Sequence, residues 1–443
     1  MELTPKQIVR YLDDFIIGQS EAKKAIAIAL RNRYRRLKLE GDIREEVLPK
    51  NILMIGSTGV GKTEIARRMA KLLKLPFTKV EATKYTEVGF VGRDVESMVR
   101  DLVSDAIKIV KDEELANQEP QLEDYILGKI ADELVPPLPK ASPQNMIDSQ
   151  KESREKMKQK IKNAEVDHLK ISVEIQQKSH IDFAGSDNLP PELSRVQDSL
   201  SKMFGQMNAP LKKEVSVKEA KEILKQEASD RLLDMDKIRR IALSRAEEGG
   251  IIFIDEMDKI ALPSGVATRG DPSKEGVQRD LLPIVEGSTI QTKYGQINTD
   301  HILFIGAGAF HLTKPSDLIA ELQGRFPIRV EMYSLDEEAL YQILSTPKNS
   351  IVKQYTALMA VEGVTLNFTD EALRTMAKLA KRANDQTEDI GARRLHTIIE
   401  KALEEISFNA DENSGQTIDI TAQMIHDKLD QVFDSDDAAR YIL

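Results

Sequence analysis

The chain has 443 residues, 41% hydrophobic and 31% charged, which is enough for two or three soluble domains with cores of their own. A net charge of −10 argues against a broad nucleic-acid surface, and the absence of cysteine excludes disulfides, thiol catalysis and cysteine-ligated zinc. Tryptophan is absent and no run approaches a membrane-spanning length, so the expectation is a cytoplasmic protein with neither nucleic acid nor membrane as partner.

In chain order, Thr4-Pro5 reads as a helix N-cap with proline at the first helical position. Glu21 to Leu39 has helical apolar spacing with many basic residues on the other face. Ile16-Ile17-Gly18-Gln19 precedes it. From Asn51 strand and helix alternate: a strand at Ile52, a helix after Lys62, a strand near Phe77 to Val80, a helix after Arg93. That alternation predicts an α/β fold with a parallel sheet covered by helices. Between about Lys111 and Arg240 the chain turns rich in Lys, Glu, Gln and Asp, which predicts an inserted, largely helical subdomain. Ser216-Val217-Lys218-Glu219 is a capping box for one of its helices. The sheet resumes at Ile251-Ile252-Phe253-Ile254-Asp255 and again at His301 to Ile305. After Arg325 helices dominate, with Thr369 as a cap, a helix from about Gly391 to Phe408, a short strand near Thr417 to Ile420 and a last helix. The expected domains are therefore 1–110 with 241–332, an insertion at 111–240, and a helical C-terminal domain at 333–443.

The chemistry centres on Gly56-Ser57-Thr58-Gly59-Val60-Gly61-Lys62-Thr63, set between an apolar strand and a helix. Glycines let backbone N–H groups turn around phosphates, and the helix N-terminus adds positive potential. Lys62 can reach the β/γ-phosphates and the Thr63 hydroxyl can ligate Mg²⁺. The apolar strand Ile251 to Ile254 delivers Asp255 to its carboxyl end, where it can orient Mg²⁺ and its water. Glu256 is then placed to polarise an attacking water as a general base. An acidic pair alone could be a solvated strand end, but joined to the phosphate loop it favours hydrolysis over a pure binding switch. The histidines are dispersed and Gly-x-Ser-x-Gly is absent, so neither a metal site nor a peptidase site is expected.

These motifs, with Ile16-Ile17-Gly18-Gln19, Gly324-Arg325 and Gly391-Ala392-Arg393, make the chain resemble an AAA+ ATPase of the Clp/Hsp100 class. The large insertion, Gly89-Phe90-Val91-Gly92 and the terminal Arg440-Tyr441-Ile442-Leu443 direct that resemblance to the branch whose ring serves an HslV-type threonine peptidase. It covers nearly the whole chain and is weakest in the insertion. It implies an AAA+ sheet, a homo-hexamer and ATP with Mg²⁺ as cofactors. The nucleotide would lie on Gly56 to Thr63 with Glu64 and Asp255 beside it. Ile16 and Ile17 would pack near the adenine, although an apolar pair also suits a plain core. Arg325 would be the arginine finger for the neighbouring subunit; as a lone arginine it would be a surface ion pair. Arg393 would be the sensor of the helical domain, with Arg394 beside it as the rival that spacing cannot separate.

By the same resemblance Phe90 and Val91 grip an unfolded protein substrate in the ring's pore, where their glycine flanks alone would read as a turn. Tyr441, Ile442 and Leu443 would insert into the peptidase, where a frayed terminus is the ordinary expectation. One departure stands out. Many AAA+ proteins place Asn or Thr after the strand equivalent to Ile302–Ile305, whereas here Gly306-Ala307-Gly308-Ala309-Phe310 offers no polar side chain before His311. Two other readings compete: an unfoldase like ClpX, against which the missing cysteine-rich zinc module and the large insertion speak, and a nucleotide-switched AAA+ loader, against which the acidic charge speaks.

Overall fold

The computed structural model describes residues 3–86, 93–136, 138, 143–175, 211–262 and 272–433. In chain order the described strands are β1 (Ile52–Ile55), β2 (Phe77–Glu81), β3 (Lys170–Ile175), β4 (Leu211–Ser216), β5 (Ile251–Asp255), β6 (Thr289–Thr292), β7 (Gly295–Asn298), β8 (Leu303–Gly308), β9 (Ile328–Glu331), β10 (Thr365–Phe368) and β11 (Thr417–Ile420). The chain divides into one unit of Met1–Leu102, Ala246–Ile290 and Asn298–Leu443, and a second of Val103–Arg245 and Gln291–Ile297.

The first unit is built on a five-stranded sheet of order β2-β5-β8-β1-β9. Every pairing is parallel, with Ile52 opposite both Ile305 and Ile328, and Glu81 opposite Asp255. Strands β1, β5 and β8 are near-continuous apolar runs, buried almost throughout, as a parallel sheet covered on both faces requires. The helix Lys62–Leu73 follows β1 through the glycine-rich loop and buries Ile65, Ala66, Met69 and Ala70 at helical spacing. Asn51 fastens three neighbours: its Oδ1 accepts from Phe304 N at 3.0 Å, its Nδ2 donates to Arg325 O at 3.0 Å, and its own carbonyl accepts from Ile328 N.

At the amino ends of β5 and β8 lies a buried basic cluster. Arg33 donates to the carbonyls of Gly249, Gly250 and His301, and burial lowers its pKa to about 10 even beside Glu248. Arg36 donates to Arg44 O at 2.9 Å and to Glu248 at 2.6 Å, and its Nη2 faces His301 Nε2.

In the same unit, the helices Glu337–Ser345, Asp370–Gln386, Arg393–Phe408 and Ala422–Phe433 pack on one another, and the helix Ile351–Ala360 packs on β10 of the parallel pair β10–β11. Thr369 caps the second of these by accepting from Ala372 N, as its sequence position predicts. Thr4 caps Pro5–Asp13 with a full capping box.

The second unit holds the helices Glu119–Leu134, Gln144–Lys162 and Val217–Leu232 and a small core of Ile130, Ile161, Ile171, Val173, Val215 and Leu224. Ser216 and Glu219 exchange backbone N–H bonds as a capping box. Within it β3 and β4 pair antiparallel, Ile171 opposite Val215, an element that the expectation of a largely helical insertion omitted. The alternation Ile171-Ser172-Val173 carries the period-two signal, but too few residues bear it to outweigh the surrounding charge.

Candidate functional site

The carboxyl ends of β1 and β5 open into a cavity of about 470 Å³. Its phosphate-loop wall is Thr58 to Glu64, where Gly59 and Gly61 adopt φ of 78° and 101°, a backbone that side chains resist. Lys62 is buried and donates to the carbonyls of Gly56 and Ser57, the latter at 2.7 Å. Burial holds its ammonium below the ordinary pKa, with Asp255 and Asp258 opposing. Glu64 lies at the first helical turn; burial works against its charge, yet bonds from Arg67 and Arg68 hold its carboxyl below the ordinary value.

The acidic wall comes from the end of β5. Thr63 Oγ1 lies 3.5 Å from Asp255 Oδ2, which also accepts from Lys79 Nζ at 2.9 Å. Glu256 takes a left-handed φ of 59°, and Thr83 Oγ1 donates to its Oε2 at 2.6 Å. The left-handed residue turns the chain sharply off the strand, so that consecutive carboxylates meet different partners. A hydroxyl and a carboxylate set side by side are a hard-oxygen donor set that fits Mg²⁺, which keeps waters and shares phosphate oxygens. Among the described residues no group of three His, Asp or Glu side chains forms a metal site unaided.

The opposite end of the cavity is apolar, lined by Phe15, Ile16, Ile17, Leu335, Ile343 and Ile351. The face of the helix Arg393–Phe408 closes it with Arg393 and His396. Arg394 turns away into the core and is 3% exposed. Sequence reasoning named the pair; the cavity receives Arg393. Arg325 is not on the cavity: its guanidinium pairs with Glu286 at 2.9 Å and stays 43% exposed.

The structure thus gathers Ile16, Ile17, Thr58, Gly59, Val60, Gly61, Lys62, Thr63, Glu64, Asp255, Glu256 and Arg393 around one cavity, with Gly56 and Ser57 contributing carbonyls to Lys62. Phe90 and Val91, with their flanking glycines, and Tyr441, Ile442 and Leu443 lie outside the described residues. Sequence reasoning missed Phe15, Lys79, Thr83 and His396. Lys79 sits on β2 and Thr83 just after it, so both could have been found by asking which residues of that strand end face Asp255 and Glu256. The strand β8 ends without a polar side chain; Gly308 instead offers its carbonyl to Gly56 N at 3.1 Å. A Cβ there would lie 2.8 Å from Asp258 Oδ1, so close packing explains the glycine.

Comparison with known proteins agrees with this geometry. Residues 51–101 match an AAA domain (dynein-related subfamily), residues 176–329 an AAA domain (Cdc48 subfamily), and residues 335–409 the C-terminal, D2-small domain of ClpB protein. The chain is 56% identical over 443 residues to an ATP-dependent protease ATPase subunit HslU of Campylobacter jejuni, with all of both chains covered. The chain belongs to the HslU family. To an HslU of Helicobacter pylori it is 57% identical over 444 residues, covering 100% of this chain and 99% of the relative. It has the AAA+ fold of that family, binds nucleotide and is an ATP hydrolase. No helix among the described residues is long and apolar enough to cross a membrane.

Proposed function

We propose that this HslU-family chain is the ATP-driven unfoldase ring of a two-part protease, threading unfolded proteins into an HslV-type threonine peptidase that it also activates. The observation that carries this reading is the meeting of Lys62, Thr63, Asp255 and Glu256 at one cavity, with Arg325 held outside it. Lys62 neutralises the phosphate chain, and the loop N–H groups orient it. Thr63 and Asp255 would hold Mg²⁺, which would supply charge neutralisation at the phosphates. Glu256 accepts a proton from the water that attacks the γ-phosphorus as the bond to the β-γ bridging oxygen breaks. Thr83, donating to Glu256 Oε2, fixes which way that carboxylate faces. Arg393 lies over the phosphates from the helical side, and Ile16 and Ile17 hold the adenine.

Arg325 acts in trans. Its exposure and its tether to Glu286 suit a guanidinium presented to a neighbouring subunit, and a hexamer is the ring that the family resemblance implies. Residues 1–110 and 241–332 form the nucleotide domain, 111–240 guard the substrate entrance, and 333–443 carry the tail. Phe90 and Val91 grip the threaded chain, and Tyr441, Ile442 and Leu443 seat in the peptidase. The compartment is the cytoplasm, which suits a chain without cysteine.

The test mixes the chain, ATP and Mg²⁺ with a purified HslV-type peptidase and measures peptide cleavage, with and without residues 434–443. The intact chain stimulates cleavage and the shortened one does not, while both hydrolyse ATP. Equal cleavage with either chain refutes the role of the tail. No stimulation by the intact chain refutes the peptidase partnership and leaves the ATPase in place.

A further inference from the structure

Arg394 is buried beside the cavity without facing it, and its bonds are unusually directed. Its Nε donates to Asn384 Oδ1 at 3.3 Å, and its Nη2 donates to Thr387 Oγ1 at 2.7 Å and to Glu388 O at 2.9 Å. Burial holds the guanidinium below its ordinary pKa, with Asp389 and Glu388 opposing, so the charge stays in the core only through these partners. Asn384, itself buried, accepts from Ile390 N at 3.3 Å and donates to Gly391 O at 3.2 Å. Arg394 therefore fixes the start of the turn 387–392 directly and its end through Asn384.

That turn rests on the phosphate loop. Ala392 N donates to Gly59 O at 3.2 Å, and a Cβ on Gly391 would lie 2.7 Å from the Gly59 carbonyl carbon and 2.8 Å from Thr58 O. Asp389 ties the same turn to the segment that follows β9: its Oδ1 accepts from Gly391 N at 3.0 Å and its Oδ2 from Ser334 Oγ at 3.1 Å. Arg393 leaves this turn as the first residue of its helix, so its approach to the cavity is set by how the turn is held.

We propose that Arg394 is a positioning residue for nucleotide binding: through Asn384 and the turn 387–392 it aims Arg393 at the phosphate end of the cavity. The inference rests on the reading of Arg393 as a nucleotide contact. A guanidinium is required because its planar fork reaches Asn384, Thr387 and the Glu388 carbonyl in fixed directions, which the single point of a lysine ammonium cannot do.

The experiment is a double-substitution cycle on the full chain: Arg394→Lys, Arg393→Ala and both together, with ADP affinity read by calorimetry and folding by melting temperature. Arg394→Lys alone weakens ADP roughly tenfold, the scale of losing directed bonds from a charged group. On top of Arg393→Ala it weakens ADP by less than about twofold, because nothing is left to aim. Losses that multiply in the double variant overturn the proposal alone. Undiminished ADP affinity in Arg394→Lys does the same. No effect of Arg393→Ala overturns the reading of Arg393 and the proposal with it. If Arg394→Lys does not fold, Thr387→Val, which removes one acceptor of the fork, enters the same cycle with a loss of about threefold and the same criterion.

Discussion

The two ends of the five-stranded sheet carry similar kinds of charge and use them in opposite ways. At the amino ends, Arg33 and Arg36 spend their donors on the carbonyls of Gly249, Gly250, His301 and Arg44 and on Glu248. At the carboxyl ends, Lys62, Thr63, Asp255 and Glu256 line an open cavity and keep bonding capacity beyond the partners they have: Lys62 donates to the Gly56 and Ser57 carbonyls, Asp255 accepts from Lys79, and Glu256 accepts from Thr83. A charge whose bonding capacity is consumed by the backbone fastens the fold. One kept at a cavity with capacity to spare is available to a ligand, and its burial strengthens whatever it meets there.

Substitutions at the two ends should therefore separate rate and binding from stability. The largest effect falls on Glu256→Gln: ATP turnover drops about a thousandfold while ADP affinity holds, read by phosphate release and calorimetry. At the other end, Arg36→Ala leaves Glu248 with the longer Arg44 contact at 3.5 Å and strips a donor from the Arg44 carbonyl; it costs about 3 kcal/mol in denaturant unfolding, with ADP affinity unchanged once the protein is folded. A matching loss of ADP affinity would break the separation. Lys62→Ala weakens ADP about a hundredfold yet does not lower the melting temperature, because the ammonium it removes bears a desolvation cost.

The smallest effect is one of pH. Burial, then the charge of Arg36, lowers the His301 pKa below its ordinary 6.5, with Glu248 and Asp300 opposing. Below 6.5 the unfolded chain binds the extra proton first, so this contribution to stability is present above 6.5 and is lost as pH falls through the folded value. His301→Gln should flatten the decline of melting temperature between about pH 7 and 5.5. An unchanged slope would show that His301 does not titrate in that window.

How far each end could be read beforehand follows from sequence distance. The phosphate loop is a contiguous pattern, and Asp255-Glu256 ends an apolar strand, so both are legible in a single pass. Thr83 is not legible in a single pass, because 173 residues separate it from Glu256 and it becomes a candidate only once β2 is placed beside β5. Arg393 and Arg394 are adjacent in sequence but about 100° apart around their helix, and only packing decides which faces ligand. The apolar spacing from Glu21 to Leu39 places the basic residues on the polar face of an amphipathic helix, whereas Arg33 and Arg36 are 8% and 6% exposed. Charge pattern alone cannot distinguish an arginine in water from one capping a sheet.

The strand order has a consequence for synthesis. β1 is made early, yet both its neighbours, β8 and β9, are made late; Asn51 waits for Phe304 across 253 residues of chain. At roughly 5–20 residues per second, the apolar run Ile52-Leu53-Met54-Ile55 leaves the ribosome on the order of ten seconds to a minute before its partners exist. During that interval it is an unpaired sticky segment on a nascent chain. The nascent chain itself needs shielding during that interval, and slowing translation between β1 and β8 should lower its soluble yield.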